Sequence, residues 1–186
     1  LTEVDGDGNA DLYVVHNFFA AQRETGRMDG GLSLLLFGDG DGGFTPVWPD
    51  RSGLVVPGDA KGLAAADLND DGYTDILFVN AHDDARRDVP SSIYWDGPRG
   101  YAAYRRSQLT GFVVLGSGVA DLNRDGRPDI LLVSGLSGRD GTLPTVVFWG
   151  NQEHHYSSAS STAMDVSAQM GDAWFDSVGN FHGNNV

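Results

Sequence analysis

The stretch Asp67-Leu68-Asn69-Asp70-Asp71-Gly72-Tyr73-Thr74-Asp75 runs without a break into Ile76-Leu77-Phe78-Val79. Nine residues of oxygen-bearing and turn-forming side chains thus lead directly into a continuous apolar run of strand composition. The same phrase occurs twice more. Asp121-Leu122-Asn123-Arg124-Asp125-Gly126-Arg127-Pro128-Asp129 precedes Ile130-Leu131-Leu132-Val133, and Glu3-Val4-Asp5-Gly6-Asp7-Gly8-Asn9-Ala10-Asp11 precedes Leu12-Tyr13-Val14-Val15. Turn chemistry alone accounts for Asp, Asn and Gly between strands. It gives no reason for a carboxylate at the ninth position of all three copies, whereas a bound cation does.

Oxygen side chains at positions 1, 3, 5 and 9 of a tight loop, with the backbone carbonyl of position 7, supply the hard oxygen donors that Ca²⁺ takes six to eight at a time. The expected metal ligands are therefore Glu3, Asp5, Asp7, Asn9 and Asp11 in the first loop, and Asp67, Asn69, Asp71, Tyr73 and Asp75 in the second. In the third they are Asp121, Asn123, Asp125, Arg127 and Asp129. Gly8, Gly72 and Gly126 hold position 6, where the chain must turn sharply. The first copy fits least well, because Glu replaces Asp at position 1. An EF-hand is excluded: position 12 is Val14, Phe78 or Leu132 rather than Glu, and the flanks read as strands rather than helices.

Outside the loops the repetition continues. A second apolar run ends in an aromatic at Leu32–Phe37, Ser92–Trp95 and Thr145–Trp149. A turn-rich hairpin follows, closed by Phe44, Tyr101 or Tyr156. A third run, Gly62–Ala66 or Gly116–Ala120, leads into the next loop. The position-9 acids at 11, 75 and 129 recur at about 54 to 64 residues, room for about four short strands and their turns, and no segment sustains a helical period. The fold expected is all-β, a β-propeller with three to four blades visible.

This pattern resembles the FG-GAP or VCBS repeat family, the calcium-loop propeller blades also found in the head of integrin α subunits. The resemblance rests on the three loops, on Phe37-Gly38, Trp95-Asp96-Gly97 and Trp149-Gly150, and on Ala66-Asp67-Leu68 and Ala120-Asp121-Leu122. It covers nearly all of residues 1–160 and implies about seven blades in all, so the chain reads as part of a longer polypeptide. Residues 160–186 read as a divergent blade or tail, since Asp176-Ser-Val-Gly-Asn-Phe-His-Gly183 lacks the acids of a fourth loop.

The 186 residues carry a formal charge of -14, and ten of the acids occupy loop ligand positions. Three bound Ca²⁺ would bring the total to about -8. The acidity is first a metal-binding property and argues against nucleic acid, which demands a basic face. Arg86-Arg87 and Arg105-Arg106 are the only short basic pairs, expected as solvated loop charge. There is no cysteine and no apolar run of transmembrane length. Loops of this charge suit the Ca²⁺ levels outside the cytosol, so an extracellular, cell-surface or periplasmic setting is expected.

A search for catalytic patterns finds none that holds. The five histidines include the adjacent pair His154-His155 but no zinc spacing. Gly38-Asp-Gly-Asp-Gly-Gly43 lacks the lysine and helix of a phosphate loop and reads as a hairpin turn. The acid pairs Asp70-Asp71 and Asp83-Asp84 read as surface charge. Trp95 and Trp149 follow the repeat and read as core. The expectation is a non-enzymatic, calcium-binding adhesion or binding module for a protein or glycan ligand, recognised by the excursions 16–31, 80–91 and 134–144. Two other classes fit the sequence: the propeller of a polysaccharide-active enzyme, and an accessory subunit on the outer face of a membrane assembly.

Overall fold

The computed structural model describes residues 3–14, 34–47, 53–54, 60–81, 89–111, 113–134, 145–153, 155–164, 174–175 and 181–182. The excursion 16–31, residues 82–88 and 135–144 of the other two excursions, Trp48, His154 and the whole of 183–186 lie outside the described residues.

Thirteen strands are described, all in antiparallel sheets, with a single short 3-10 turn at Ser158–Ser160. The first sheet joins β1 (Leu12–Val14), β2 (Leu34–Gly38) and β3 (Phe44–Val47) in chain order. The second is a four-stranded meander of β4 (Ala60–Ala66), β5 (Asp75–Asn80), β6 (Ser91–Tyr94) and β7 (Arg106–Leu109). The third repeats it with β8 (Val114–Ala120), β9 (Asp129–Ser134), β10 (Thr145–Phe148) and β11 (Ser161–Met164). Residues 161–164 thus belong to the third sheet. Beyond it, β12 (Trp174–Phe175) and β13 (Phe181–His182) pair as a short hairpin.

The repeat is visible in the registers. Ala66 pairs with Asp75 and Ala120 with Asp129, so the second and third acidic loops each link the first two strands of their sheet, and there the position-9 acid is the first residue of the second strand. The register slips by one residue between Ala60 and Gly62 and again between Val114 and Gly116, an equivalent bulge in both first strands. Pro46 lies in β3, an edge strand among the described residues, the place in a sheet where proline is tolerated.

The sheets pack face to face. β5 is buried along its whole length because it is covered on both sides. Ile76 and Phe78 pack with Val4, Leu35, Leu54 and Tyr94 toward the first sheet. Leu77 and Val79 pack with Leu68, Ile93, Ile130, Leu132 and Phe148 toward the third. Alternation along a strand sends successive side chains to opposite faces, which is why a continuous apolar run was needed here. β9 has one such face only: Ile130 and Leu132 are buried, whereas Val133 is exposed, as are Leu115, Leu122 and Met164. The strands β1, β5 and β9 that follow the three loops lie in three separate sheets, as propeller blades require.

Candidate metal loops

In each loop the position-9 carboxylate is held by the backbone. Asp75 accepts from the N–H of Leu68 at 2.9 Å and from that of Asp96 at 2.8 Å. Asp11 accepts from Val4 and Gly38 at 2.6 and 2.9 Å, and Asp129 from Leu122 and Gly150 at 2.8 and 2.9 Å. One oxygen closes the loop onto its own second residue, and the other ties it to the hairpin that follows the sheet's third strand (the second strand described in the first sheet). All three carboxylates are buried. This corrects the inference that a repeated ninth carboxylate requires a cation: two buried amide donors give it a structural task of its own. A carboxylate oxygen that accepts one hydrogen bond still has a lone pair for a metal.

Burial pushes the Asp75 carboxyl up to about 7, and the neighbouring Asp71 and Asp67 charges act in the same direction against its two backbone donors.

The rest of the loop is also reproduced. In the second copy the position-5 N–H of Asp71 reaches Asp67 and Asn69 at 3.1 Å each, Gly72 N–H reaches Asp67 at 2.8 Å, and Tyr73 N–H reaches Asp71 at 3.0 Å. Asp125, Gly126 and Arg127 do the same with Asp121, Asn123 and Asp125. The first copy keeps the bonds from Asp7 to Asp5 and from Asn9 to Asp7, but its position-1 acid, Glu3, accepts from the position-4 N–H of Gly6 rather than from positions 5 and 6. Positive φ occurs at position 6, as expected, but also at position 4, where Gly6, Asp70 and Arg124 have φ of 84°, 60° and 62°. Asp70 is thereby a turn residue, and its side chain takes no part in the bonds described for the loop.

Oxygens that share a Ca²⁺ at about 2.3–2.6 Å lie within roughly 5 Å of one another. Glu3, Asp5 and Asp11 each place one oxygen within 4.8 Å of the others, the one such grouping of acids among the described residues. The first loop, with the acid Asp5 where the other two carry Asn69 and Asn123, is thus the copy that brings three acids together, although its sequence fits least well. Burial raises the Asp5 carboxyl, with Asp7, Asp11 and Glu3 adding to it, as unneutralised like charges do. In the other two loops the position-3 amides of Asn69 and Asn123 donate to the position-5 acids, and the Arg127 guanidinium lies 3.2 Å from Asp125. Tyr73 and Arg127, expected to contribute only a backbone carbonyl, stand beside these acids at position 7.

The loops stand side by side on one rim. Loops one and two share a cavity of about 430 Å³, and loops two and three flank a second cleft of about 380 Å³ through Asp67, Asp70, Asp125 and Gly126. Two residues not expected as functional bind the loops from below. The Tyr101 hydroxyl donates to the Thr74 carbonyl, and the Tyr156 hydroxyl lies 2.8 Å from the Pro128 carbonyl and 3.1 Å from that of Leu68, so it spans loops three and two. Burial pushes both phenols up. The signal in the sequence was a hydroxyl at two equivalent hairpin positions where Phe44 has none.

Other expectations resolve simply. Trp95 stacks on Tyr156 with ring centroids 6.4 Å apart and packs against the core, while the Trp95 and Trp149 indoles donate to Ser107 and Thr162 in their outer strands. Residues 38–43 form a hairpin turn, with Asp39 N–H bonded to the Gly43 carbonyl. The N–H groups of Asp41 and Gly43 hold the Asp39 carboxyl below the usual range. His155 sits in a turn rather than a strand, bonded to Asn151. Arg105 is not simply solvated charge: it donates to the carbonyls of Asp96 and Gly100. Arg86, Arg87, Asp83 and Asp84 lie outside the described residues. No helix among the described residues is long and apolar enough to cross a membrane.

Residues 4–78 match the family of FG-GAP-like repeats. No curated protein and no solved structure matches the chain. The matched span takes in most of the first acidic loop, the first sheet, the second loop and the β4–β5 pair. With one antiparallel sheet per repeat and an acidic loop at the head of each, the chain carries an FG-GAP-like repeat in a propeller-like all-β fold.

Proposed function

We propose that the chain is a calcium-stabilised, non-enzymatic propeller module that binds a protein or glycan ligand outside the cytosol. The observation that carries the metal part is the convergence of Glu3, Asp5 and Asp11 within 4.8 Å, in a loop whose bonds from position 5 to position 3 and from position 7 to position 5 are repeated at 67–75 and 121–129. The residues that would hold the ions are the acids and Asn of positions 1, 3, 5 and 9 and the position-7 carbonyls of Asn9, Tyr73 and Arg127. Bound there, Ca²⁺ supplies charge neutralisation and a pinned turn. FG-GAP-like repeats are commonly binding or adhesive modules. The ligand surface is assigned to the excursions between strands, because variable loops on a rigid sheet scaffold carry recognition.

Ions bound only by the folded chain stabilise it by mass action, about 2.7 kcal/mol at a hundredfold excess over Kd. Thermal melts should fall on chelation and recover with Ca²⁺, and poorly with Mg²⁺, which demands near-octahedral geometry. Asp71→Ala should weaken Ca²⁺ binding in calorimetric titration, while Asp70→Ala should leave the affinity nearly unchanged. A melt indifferent to chelator and Ca²⁺ would sink the metal assignment.

A further inference from the structure

Position 7 holds a different side chain in each loop, Asn9, Tyr73 and Arg127, and one of the three is a cation. The backbone carbonyl there is the expected ligand, which leaves the side chain to act on the position-5 acid beside it. In the first loop the Asn9 amide donates to Asp7 Oδ2 at 2.8 Å, and in the third the Arg127 guanidinium lies 3.2 Å from Asp125 Oδ2. The Tyr73 phenol, 39 % exposed, brings no charge to Asp71.

The Asp125 carboxylate is therefore fully engaged. Its Oδ1 accepts the Arg127 N–H at 3.0 Å, and its Oδ2 meets the Asn123 amide at 3.2 Å as well as the guanidinium. A carboxylate oxygen has two lone pairs, so Oδ2 keeps none for a metal. In the second loop the corresponding oxygen of Asp71 takes the Asn69 amide at 3.1 Å and has no guanidinium beside it. Packing directs Arg127 to this place. A Cβ at Gly150 would lie 3.1 Å from the Arg127 Cβ, so the side chain sets out against the hairpin backbone. From there it borders the 380 Å³ cleft between the second and third loops, whose lining carries three acids, Asp67, Asp70 and Asp125, and one base, Arg127.

We propose that Arg127 is the third loop's own counter-cation, holding Asp125 when no metal is bound and releasing it before Ca²⁺ can bind. This rests on the calcium reading of the loops and adds to it a side chain that sets affinity. The pair is about a third exposed and on its own contributes little to stability. It bears on metal binding because Ca²⁺ must take an oxygen that the guanidinium holds and settle beside a like charge. Whatever stabilises the metal-free folded loop lowers its apparent affinity for the ion by the same factor. Of the two loops with Asn at position 3, the third is then the weaker calcium site and the one whose shape depends less on metal.

The test is calorimetric titration of the full chain with Ca²⁺, with melts in chelator, for the wild type, Asp125→Ala and a reciprocal exchange at position 7, Arg127→Tyr and Tyr73→Arg. Arg127→Tyr should raise the affinity of one class of site, the class that Asp125→Ala removes, by about three- to tenfold. Tyr73→Arg should lower the affinity of a different class by a similar factor. In chelator Arg127→Tyr should melt below wild type, and at about 1 M salt, where exposed pairs are screened, that gap should narrow. Arg127→Gln, which keeps the length and removes the charge, provides a second variant should the aromatic disturb folding. If both Arg127 variants bind Ca²⁺ as wild type does while Asp125→Ala loses a site, the proposal is overturned and the loop assignment stands. A lower melt in chelator without any change in the isotherm would likewise overturn it, since the pair would then be structural alone. Wild type and Arg127 variants that all bind no Ca²⁺ would overturn the calcium reading as well.

Discussion

Asp75 concentrates the chemistry of a loop in one side chain. It begins a strand, accepts two backbone N–H bonds and lies beside Asp67 and Asp71, with its carboxyl raised to about 7 chiefly by burial. A carboxyl raised in the folded state binds more protons than its unfolded counterpart between about pH 4 and pH 7. Stability contributed by the neutral form is therefore present at low pH and is lost as pH rises through that window. In chelator, wild-type melts should fall between pH 5 and 7.5 more steeply than those of Asp75→Asn, whose amide does not titrate. Parallel profiles would show that this carboxyl is already ionised at pH 5. Calcium should flatten the wild-type profile, because a nearby cation favours the carboxylate.

At the level of the loop and its hairpin, packing decides which residues are permitted. Gly150 leaves no room for a side chain, since the Pro128 carbonyl occupies the place of its Cβ at 2.4 Å, whereas a Cβ at Gly116 in β8 meets nothing within 4 Å. Gly150→Ala should cost about 1–3 kcal/mol in urea unfolding, because backbone must shift to admit the methyl. Gly116→Ala should stay within about 0.5 kcal/mol of wild type or stabilise, since Ala narrows the unfolded ensemble. Equal effects at the two positions would mean that the hairpin does not press on the loop.

Across the whole molecule, Tyr156 links what the repeats leave separate. Its ring stacks on Trp95 of the preceding sheet, and its hydroxyl is shared between carbonyls of two acidic loops. Tyr156→Phe should keep the stacking and lose the shared proton, lowering unfolding free energy by about 1–3 kcal/mol. Tyr104→Phe, at a residue 81 % exposed, should change it by less than about 0.5 kcal/mol. If the two variants unfold alike, the hydroxyl bridge contributes nothing to the association of the sheets. The buried length of β5 and the one-faced burial of β9 follow from the same arrangement, since only the second sheet has a described neighbour on each side.

The local phrase acid-turn-acid-strand was sufficient in itself to announce the loops, their position-6 glycines, the strands after them and the sheet-per-repeat order. These depend on backbone preference and short-range bonding, and both are written within a dozen residues. The positive φ at Asp70 and Arg124 was not legible, because position 4 is glycine only in the first copy. Nor was the second partner of each position-9 acid, which lies 21 to 27 residues away in the chain. The Tyr156 bridge to Leu68 spans 88 residues, and the cavity lined by Glu3 and Asp5 on one side and Tyr73 and Asp96 on the other lies between two different sheets. Sequence spacing carries no record of such distances; they are set when one sheet packs on the next.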